Sequence, residues 1–188
     1  MSIPTPQPPE DEARLARQAR TDVNAFAELY RRHVTRVYRY HMAHTGNLRD
    51  AEDLTSQTFM AALEGIRSYR GTGSFAAWIM GIAVRKQKMY YRGSKPEVPL
   101  EAALHLPTPG LPTEQEAARR LQVERVRRAL QHLRPERAEA LILRYFGGLD
   151  IQETARVLGK SQGAVKMLIA RGLQDVRERM SLDLEMEQ

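Results

Sequence analysis

Apolar residues recur at three- and four-residue steps through most of the chain, which is the spacing of one face of an α-helix. Three runs precede residue 93, and their predicted inward positions are Phe26, Leu29, Tyr30, Val37, Tyr38 and His41; Leu54, Phe59, Leu63 and Ile66; and Phe75, Trp78, Ile79, Ile82 and Ala83. Gly46 with Asn47, and the two glycines of residues 68–74, separate these runs. No stretch shows the two-residue alternation of a strand, so we predict an all-α fold.

Prolines divide this helical pattern into two small domains. Four prolines lie in residues 1–10, a composition typical of disorder. A later cluster consists of Pro96, Pro99, Pro107, Pro109 and Pro112. An extended linker there would reach about 80 Å at about 3.3 Å per residue, enough to let the domains occupy distant sites. The predicted organisation is a disordered leader at 1–20, a helical domain at 21–93, a flexible Pro-rich linker at 94–116, a second helical domain at 117–181 and a solvated tail at 182–188.

A short helix, a tight turn and a longer helix are predicted between residues 150 and 176. Gly159 can take the positive φ of the turn, and Ser161 is a suitable N-cap for the second helix. This is the helix-turn-helix layout, whose second helix enters the major groove of DNA. Lys166 and Arg171 on that helix could reach phosphates or base edges. The alternative is an ordinary helical hairpin with a solvated basic face.

The end of the third predicted helix is both basic and aromatic. No acidic residue lies between Val84 and Pro96, a segment that contains Arg85, Lys86, Lys88, Tyr90, Tyr91, Arg92 and Lys95. Aromatic rings can stack on unpaired bases while cations follow the backbone, which favours single-stranded nucleic acid. A solvated charge run beside core aromatics explains the same pattern equally well.

Composition narrows the possible functions. The 29 Lys and Arg residues outnumber the 23 Asp and Glu residues, giving a net charge of +6 that suits nucleic acid, an anionic membrane or an acidic protein. The lack of cysteine excludes disulfides, thiol nucleophiles and cysteine-bound zinc. His41 and His44 are one helical turn apart but lack a third ligand, so we expect no metal and no cofactor. With no catalytic triad, signal peptide or transmembrane run, a non-enzymatic cytoplasmic protein is expected.

Several blocks together resemble the sigma-70-type transcription initiation factors of bacteria. Residues 50–59 (DAEDLTSQTF) are similar to the core-binding helix of their region 2, and residues 75–83 (FAAWIMGIA) to the segment before their promoter-melting helix. Four further blocks resemble region 4, namely residues 133–137, 141–149, 151–155 and 163–166. The order of these blocks, the Pro-rich spacer and the absence of a third domain point to the extracytoplasmic-function (ECF) group.

The resemblance implies partners and contacts. Region 2 would dock on the β′ coiled coil of core RNA polymerase through Asp50, Glu52, Asp53, Ser56 and Gln57. The loop 68–74 would capture a flipped base of the −10 element, and the single-strand contacts would be Ser68, Tyr69, Arg70, Thr72, Arg85, Lys86, Lys88, Met89 and Arg92. Region 4 would meet the β flap and read the −35 duplex through Lys160, Ser161, Gln162, Gly163, Ala164, Lys166, Met167, Ala170 and Arg171. An anti-sigma factor that masks the DNA-binding domains is also implied.

Some residues depart from the family pattern. Arg85 and Met89 stand where Asn and Asp are usual, which leaves the −10 specificity open, and Gln57 stands where an acidic residue is common.

The sequence is also compatible with two other functions. A stand-alone helix-turn-helix regulator would bind duplex DNA without polymerase, and a helical adaptor would bind acidic proteins alone.

Overall fold

The structure, a computed structural model, describes residues 9–71, 73–93 and 125–186. Over these ranges it consists of α-helices with one 3-10 turn and one π-helical turn, and it contains no β-strand. The predicted all-α fold is confirmed. The predicted linker at 94–116 and the first part of the second domain lie outside the described residues.

The N-terminal domain contains four helices, α1 (Pro9–Gln18), α2 (Val23–Thr45), α3 (Leu48–Gly65) and α4 (Phe75–Gly93). A 3-10 turn at Ile66–Ser68 extends α3. The side chains of Asp22 and Asn47 cap α2 and α3 by accepting hydrogen bonds from backbone N–H groups of the first turn. Gly46 ends α2 with φ of 65°, a left-handed conformation that favours glycine. The break predicted at Gly46 and Asn47 therefore lies between two helices.

The leader predicted at 1–20 is wrong for residues 9–18, because they form α1. This helix packs on α2, and its Ala16 is fully buried. The Glu12 carboxylate lies 2.7 Å from Nε2 of the buried His33 on α2. The prolines at the start of the chain indicate disorder. Helix α1 instead packs on the surface of α2, which forms only when the chain folds.

Helix α4 supplies much of the N-terminal core, where Phe75, Ile79 and Met80 are fully buried. His41 on α2 is also fully buried, with Nδ1 2.7 Å from Gln87 Oε1 and Nε2 3.0 Å from Thr58 Oγ1. Burial lowers the pKa of His41 to about 4, although the hydrogen bond with Gln87 acts in the opposite direction. His41 is thus a neutral core residue. Among the described residues no three potential ligands group to hold a metal ion.

The C-terminal domain is built on the helical residues 125–131 (α5), α6 (Pro135–Leu141), α7 (Ile151–Leu158) and α8 (Gln162–Met186). Pro135 occupies the first turn of α6, as predicted. A π-helical turn at Ile142–Phe146 follows α6. Its Leu143 is fully buried, as is Val165 on α8. Helix α8 runs to residue 186, so most of the tail predicted at 182–188 is helical.

The two domains pack against each other around one hydrophobic core. Helix α2 contacts the π-helical turn, and α4 contacts α7. At this junction a Cβ on Gly147 would lie 2.8 Å from the Leu143 carbonyl oxygen and 3.0 Å from the Met80 side chain. A glycine is therefore needed for the chain at 147 to approach Met80 this closely. The sequence predicted domains that can sit far apart. The structure instead shows them closed on each other.

A half-buried carboxylate joins the two domains. Glu139 on α6 accepts a hydrogen bond of 2.7 Å from the Tyr40 hydroxyl on α2. Its other oxygen lies 3.3 Å from His44 Nε2, within ion-pair distance but without the alignment of a hydrogen bond. Burial acts to raise the pKa of Glu139, but His44, Tyr40 and the charge of Lys88 outweigh burial and hold that pKa below its usual value. Glu139 is therefore ionised at neutral pH.

The lowered pKa of His41 predicts a loss of stability in mild acid. The unfolded chain binds a proton below the ordinary pKa of 6.5, whereas the folded chain does not until about pH 4. The free energy of unfolding should therefore fall by about 3 kcal/mol across this interval on account of His41. Urea unfolding at several pH values checks this, with His41→Gln flattening the dependence and the exposed His132→Gln leaving it unchanged. The same slope in all three proteins would contradict the role of His41.

The Glu139 contact predicts that its removal opens the domains. Glu139→Ala leaves the Tyr40 hydroxyl without its partner, and a hydrogen bond to a charged group contributes about 1.5–3 kcal/mol, so the ratio of open to closed chains should rise at least about tenfold. The radius of gyration from solution scattering should increase. Glu178→Ala, at an exposed position of α8, is the matched control. An unchanged radius for Glu139→Ala would show that this carboxylate does not hold the domains together.

Candidate nucleic-acid and polymerase interfaces

The helix-turn-helix predicted from the sequence is present at α7 and α8. Asp150 and Glu153 form a reciprocal capping box at the start of α7. Gly159 ends α7 with φ of 64°, as the turn requires. The Ser161 hydroxyl accepts a hydrogen bond of 3.2 Å from the Ala164 N–H and so caps α8. Local chemistry therefore determines both helix ends that face the turn.

The first turns of α8 are presented to solvent. Of the nine residues predicted to contact a −35 duplex, eight are exposed: Ser161, Gln162, Gly163, Ala164, Lys166, Met167, Ala170 and Arg171. Lys160 differs, because its ammonium lies 2.8 Å from Glu136 Oε1 and lowers the pKa of that carboxyl. Lys160 must therefore exchange Glu136 for a phosphate if it is to contact DNA.

A cavity of about 210 Å³ lies between the end of α3 and the middle of α4. Its walls include the side chains of Ser68, Trp78, Ile82, Arg85, Lys86 and Met89. Four of the nine residues predicted for the −10 strand thus meet at one place, namely Ser68, Arg85, Lys86 and Met89. Lys88, Arg92 and Arg70 are exposed outside it. Thr72 lies outside the described residues.

The tyrosines near this cavity have structural partners. Tyr69 is 4% exposed, and its hydroxyl donates to the Gly73 carbonyl oxygen at 2.8 Å, so this predicted DNA contact is instead a support for the loop. The Tyr90 hydroxyl donates to Asp50 Oδ2 at 2.9 Å, and the Tyr91 hydroxyl to the His44 carbonyl oxygen at 2.8 Å. The contacts of Tyr90 and Tyr91 hold α4 against α3 and α2, respectively. The hydroxyls are thus engaged, while the Tyr91 ring is 53% exposed, and base stacking by these rings stays a prediction.

The C-terminal domain covers one end of the loop 68–74. The Ser74 hydroxyl caps α4 and also donates a hydrogen bond to the Glu153 carboxylate on α7. Beside it, a Cβ on Gly73 would meet the Arg156 guanidinium, and the glycine has φ of 94°. The cavity itself is lined by residues of α3, α4 and the 3-10 turn, so closure of the domains does not cover it.

One face of α3 is free for a protein partner. Glu52, Asp53, Ser56 and Gln57 are exposed, whereas Asp50 is half-buried under the Tyr90 hydroxyl. The same side of the helix carries Met60, 64% exposed, and Leu63, 46% exposed. Leu63 had been predicted to face inward, and Met60 had not been singled out. Met60 lies three to four residues after Ser56 and Gln57, and Leu63 lies three residues after Met60, so the helical spacing was the available signal.

No helix among the described residues has the length and apolarity needed to cross a membrane.

Comparison with known proteins identifies both domains. The family model described as Sigma-70 region 2 matches residues 29–96, and the model described as Sigma-70, region 4 matches residues 123–176. The chain is 34% identical over 150 residues to the ECF RNA polymerase sigma factor BldN of Streptomyces coelicolor, a match that covers 78% of this chain and 57% of BldN. It is 30% identical over 168 residues to the RNA polymerase sigma factor YlaC of Bacillus subtilis, with coverage of 87% and 96%.

A solved structure shares the arrangement of the helices. CnrH, in its complex with the cytosolic domain of CnrY, superposes with a TM-score of 0.73 and 25% sequence identity, over 92% of this chain and 98% of that one. The region 2 match spans α2 to α4, which a stand-alone helix-turn-helix regulator does not account for. On these similarities the chain belongs to the sigma-70 family of RNA polymerase sigma factors, in its ECF group.

Proposed function

We propose that this sigma factor carries core RNA polymerase to specific promoters and holds the opened strand, while the polymerase performs the chemistry. One observation carries the proposal: exposed cations lie on each of the two domains, at the start of α8 and at the end of α4. The first turns of α8 suit a DNA groove, and the basic end of α4 with its cavity suits an unpaired strand. We place the protein in the cytoplasm, where its polymerase works.

Duplex recognition is assigned to the start of α8. The capped N-terminus directs backbone N–H groups outward, which suits a DNA phosphate. Lys166 and Arg171 add exposed cations on the same helix. Ala164 and Ala170 are small enough for a close approach to the groove, and Met167, 51% exposed, can contact thymine methyl groups. Readout here would combine phosphate contacts, apolar contacts and DNA shape.

Binding of core polymerase is assigned to the exposed face of α3. The carboxylates of Glu52 and Asp53 would form a polar rim, and Met60 with Leu63 would supply apolar contacts. A few apolar anchors inside a polar rim are typical of protein interfaces. The partner implied by the family is the β′ coiled coil, with the β flap meeting the C-terminal domain.

Promoter binding requires the closed domains to separate. The −35 and −10 elements are about 25 base pairs apart, which is about 85 Å of DNA at about 3.4 Å each. Two domains of this size in contact measure about 55 Å from end to end. The linker of residues 94–116 is long enough to bridge the difference when extended. We therefore assign the closed form to the free protein and an open form to the polymerase complex.

An inhibitory partner fits the closed form. CnrH was solved bound to the cytosolic domain of CnrY, and this chain shares its arrangement with CnrH. We propose that a protein of the anti-sigma class binds this chain and favours closure. Such a partner would cover surfaces that the polymerase and the promoter need.

Run-off transcription with bacterial core polymerase tests the proposal. The full chain should support initiation from a subset of a promoter library, and core polymerase alone should not. Met60→Asp places a charge among the apolar contacts of α3 and should weaken core binding about tenfold or more. Val23→Asp makes the same change on α2, at a residue 74% exposed, and should have no effect. Absence of initiation by the correctly folded wild type would refute the sigma assignment.

Replacement of Arg171 tests the duplex surface. Arg171→Ala should weaken binding to a −35 duplex about tenfold, because one arginine contact with DNA is lost. Loss of a phosphate contact would also reduce the slope of log Kd against the logarithm of the salt concentration by about one. Loss of a base contact would leave that slope unchanged. Arg177→Ala, exposed farther along α8, is the control. Equal affinity of Arg171→Ala and wild type at low salt would exclude this contact.

A further inference from the structure

Helix α1 and the turn that follows it lie outside the family match. The region 2 model begins at residue 29, whereas this N-terminal segment comprises residues 9–21. Ala16 and Ala19 are both buried, so the segment packs closely on the rest of the N-terminal domain. It contacts α2 and α4. None of the surfaces proposed for polymerase or DNA includes it.

The N-terminal segment holds the first end of the loop 68–74. Nη2 of Arg20 donates a hydrogen bond of 2.7 Å to the Tyr69 carbonyl oxygen, across 49 positions of sequence. Burial raises the pKa of Tyr69, and the charges of Glu12 and Arg17 act on the same hydroxyl in opposite directions. Two side chains of α1 therefore lie near the Tyr69 ring, and a third group from the following turn fixes its backbone.

The Glu12 carboxylate holds the other end of the loop. It interacts with the backbone N–H of Phe75, the first residue of α4, and lies 2.7 Å from Nε2 of the buried His33. Burial acts to raise the pKa of Glu12, but His33, the charge of Arg36 and the Phe75 N–H outweigh burial and hold that pKa below its usual value. A carboxylate at the start of a helix is stabilised by the helix dipole. Glu12 therefore fixes the point at which the loop enters α4.

The loop between these two attachment points depends on them for its shape. Gly71 and Gly73 have positive φ of 74° and 94°, and glycine loses more conformational freedom on ordering than any other residue. The hydrogen bond from the Tyr69 hydroxyl to the Gly73 carbonyl oxygen closes the loop internally, but Tyr69 is itself held by Arg20. A loop fixed at both ends is preorganised, which lowers the cost of ordering it when a ligand binds.

Other contacts of the loop are with the C-terminal domain. Ser74 donates a hydrogen bond to Glu153, and Gly73 lies beside the Arg156 guanidinium. In the open form proposed for promoter binding these contacts are lost. The N-terminal segment belongs to the same domain as the loop, so its contacts persist when the domains separate.

We propose that the N-terminal segment is a positioning element for promoter opening, in which Arg20 and Glu12 hold the loop 68–74 in the shape that receives the opened −10 strand. Both residues act through the loop and do not have to contact DNA. The inference rests on the proposed function and assigns a part in it to residues outside the region 2 match. Loss of these contacts should weaken the hold on the strand and leave the α3 face and the start of α8 unchanged.

A double-mutant cycle between Arg20 and the DNA tests this positioning role. Holoenzyme made from the full chain and core polymerase is titrated with the single-stranded non-template −10 segment of a promoter that is active in run-off transcription. Each position is made abasic in turn, and the position at which the wild type loses most affinity, about tenfold, marks the base that the loop holds. Arg20→Ala should make this abasic loss smaller by about threefold or more, the effect of one hydrogen bond.

Two variants are the controls for this cycle. Arg20→Lys keeps a donor for the Tyr69 carbonyl oxygen and should retain most of the wild-type loss. Arg14→Ala removes the same charge from α1, at an exposed side chain whose hydrogen bond is to Asp11 of the same helix, and should behave as the wild type. An abasic loss in Arg20→Ala equal to that of the wild type would overturn the proposal, since it would mean that Arg20 acts on folding or charge alone. A wild type that loses no affinity at any position would also overturn it.

Hydrogen exchange of the free chain tests the same contacts without DNA. Arg20→Ala should speed exchange of the Tyr69 amide about threefold or more, and Glu12→Gln should do the same for the Phe75 amide. The amide of Val165, which donates to the Ser161 carbonyl oxygen on the other domain, should be unchanged. Unaltered exchange at Tyr69 and Phe75 would overturn the proposal. If run-off transcription succeeds while these tests fail, only this inference is lost, whereas failure of run-off by the folded wild type removes the sigma assignment as well.

Discussion

Partial burial of the ionised Glu139 carboxylate at the junction of the two domains is the polar constraint on the closed structure. A buried charge is strongly unfavourable unless hydrogen bonds and opposite charge compensate it. Tyr40 supplies the hydrogen bond, and His44 lies within ion-pair distance. The charge of Lys88 on α4 also favours the ionised carboxylate. The carboxylate therefore links α2, α4 and α6 at the junction.

Closure uses side chains that are also proposed to contact the promoter. Lys88 helps to compensate Glu139, yet it is also one of the cations expected to follow the opened strand. Ser74 and Gly73 of the loop 68–74 contact α7 of the helix-turn-helix domain. A strand that takes Lys88 and this loop competes with the contacts that close the domains. Polymerase and DNA together must offset the loss of the shared core, and an inhibitor need only reinforce it.

The surfaces needed for recognition nevertheless remain outside the junction. The start of α8, the exposed face of α3 and the cavity at Trp78 and Arg85 all face solvent in the closed form. Closure thus limits the span between the two domains, and outside these surfaces it engages Lys88 and one end of the loop 68–74.

The sequence by itself determined the helices, the helix-turn-helix and the family, because these depend on interactions within a few residues, such as the caps at Asp150 and Ser161 and the left-handed Gly159. Periodicity also found most of the core but misplaced Tyr30 and Leu63, which are 42% and 46% exposed, since a helical pattern does not define where a buried stripe ends. Only the tertiary structure decided the closure of the domains, the packing of α1, the roles of Tyr69 and Tyr90, and the cavity around Arg85. Such features join residues far apart in the chain, as with Tyr40 and Glu139 at a separation of 99 positions, and no local pattern encodes which distant surfaces meet.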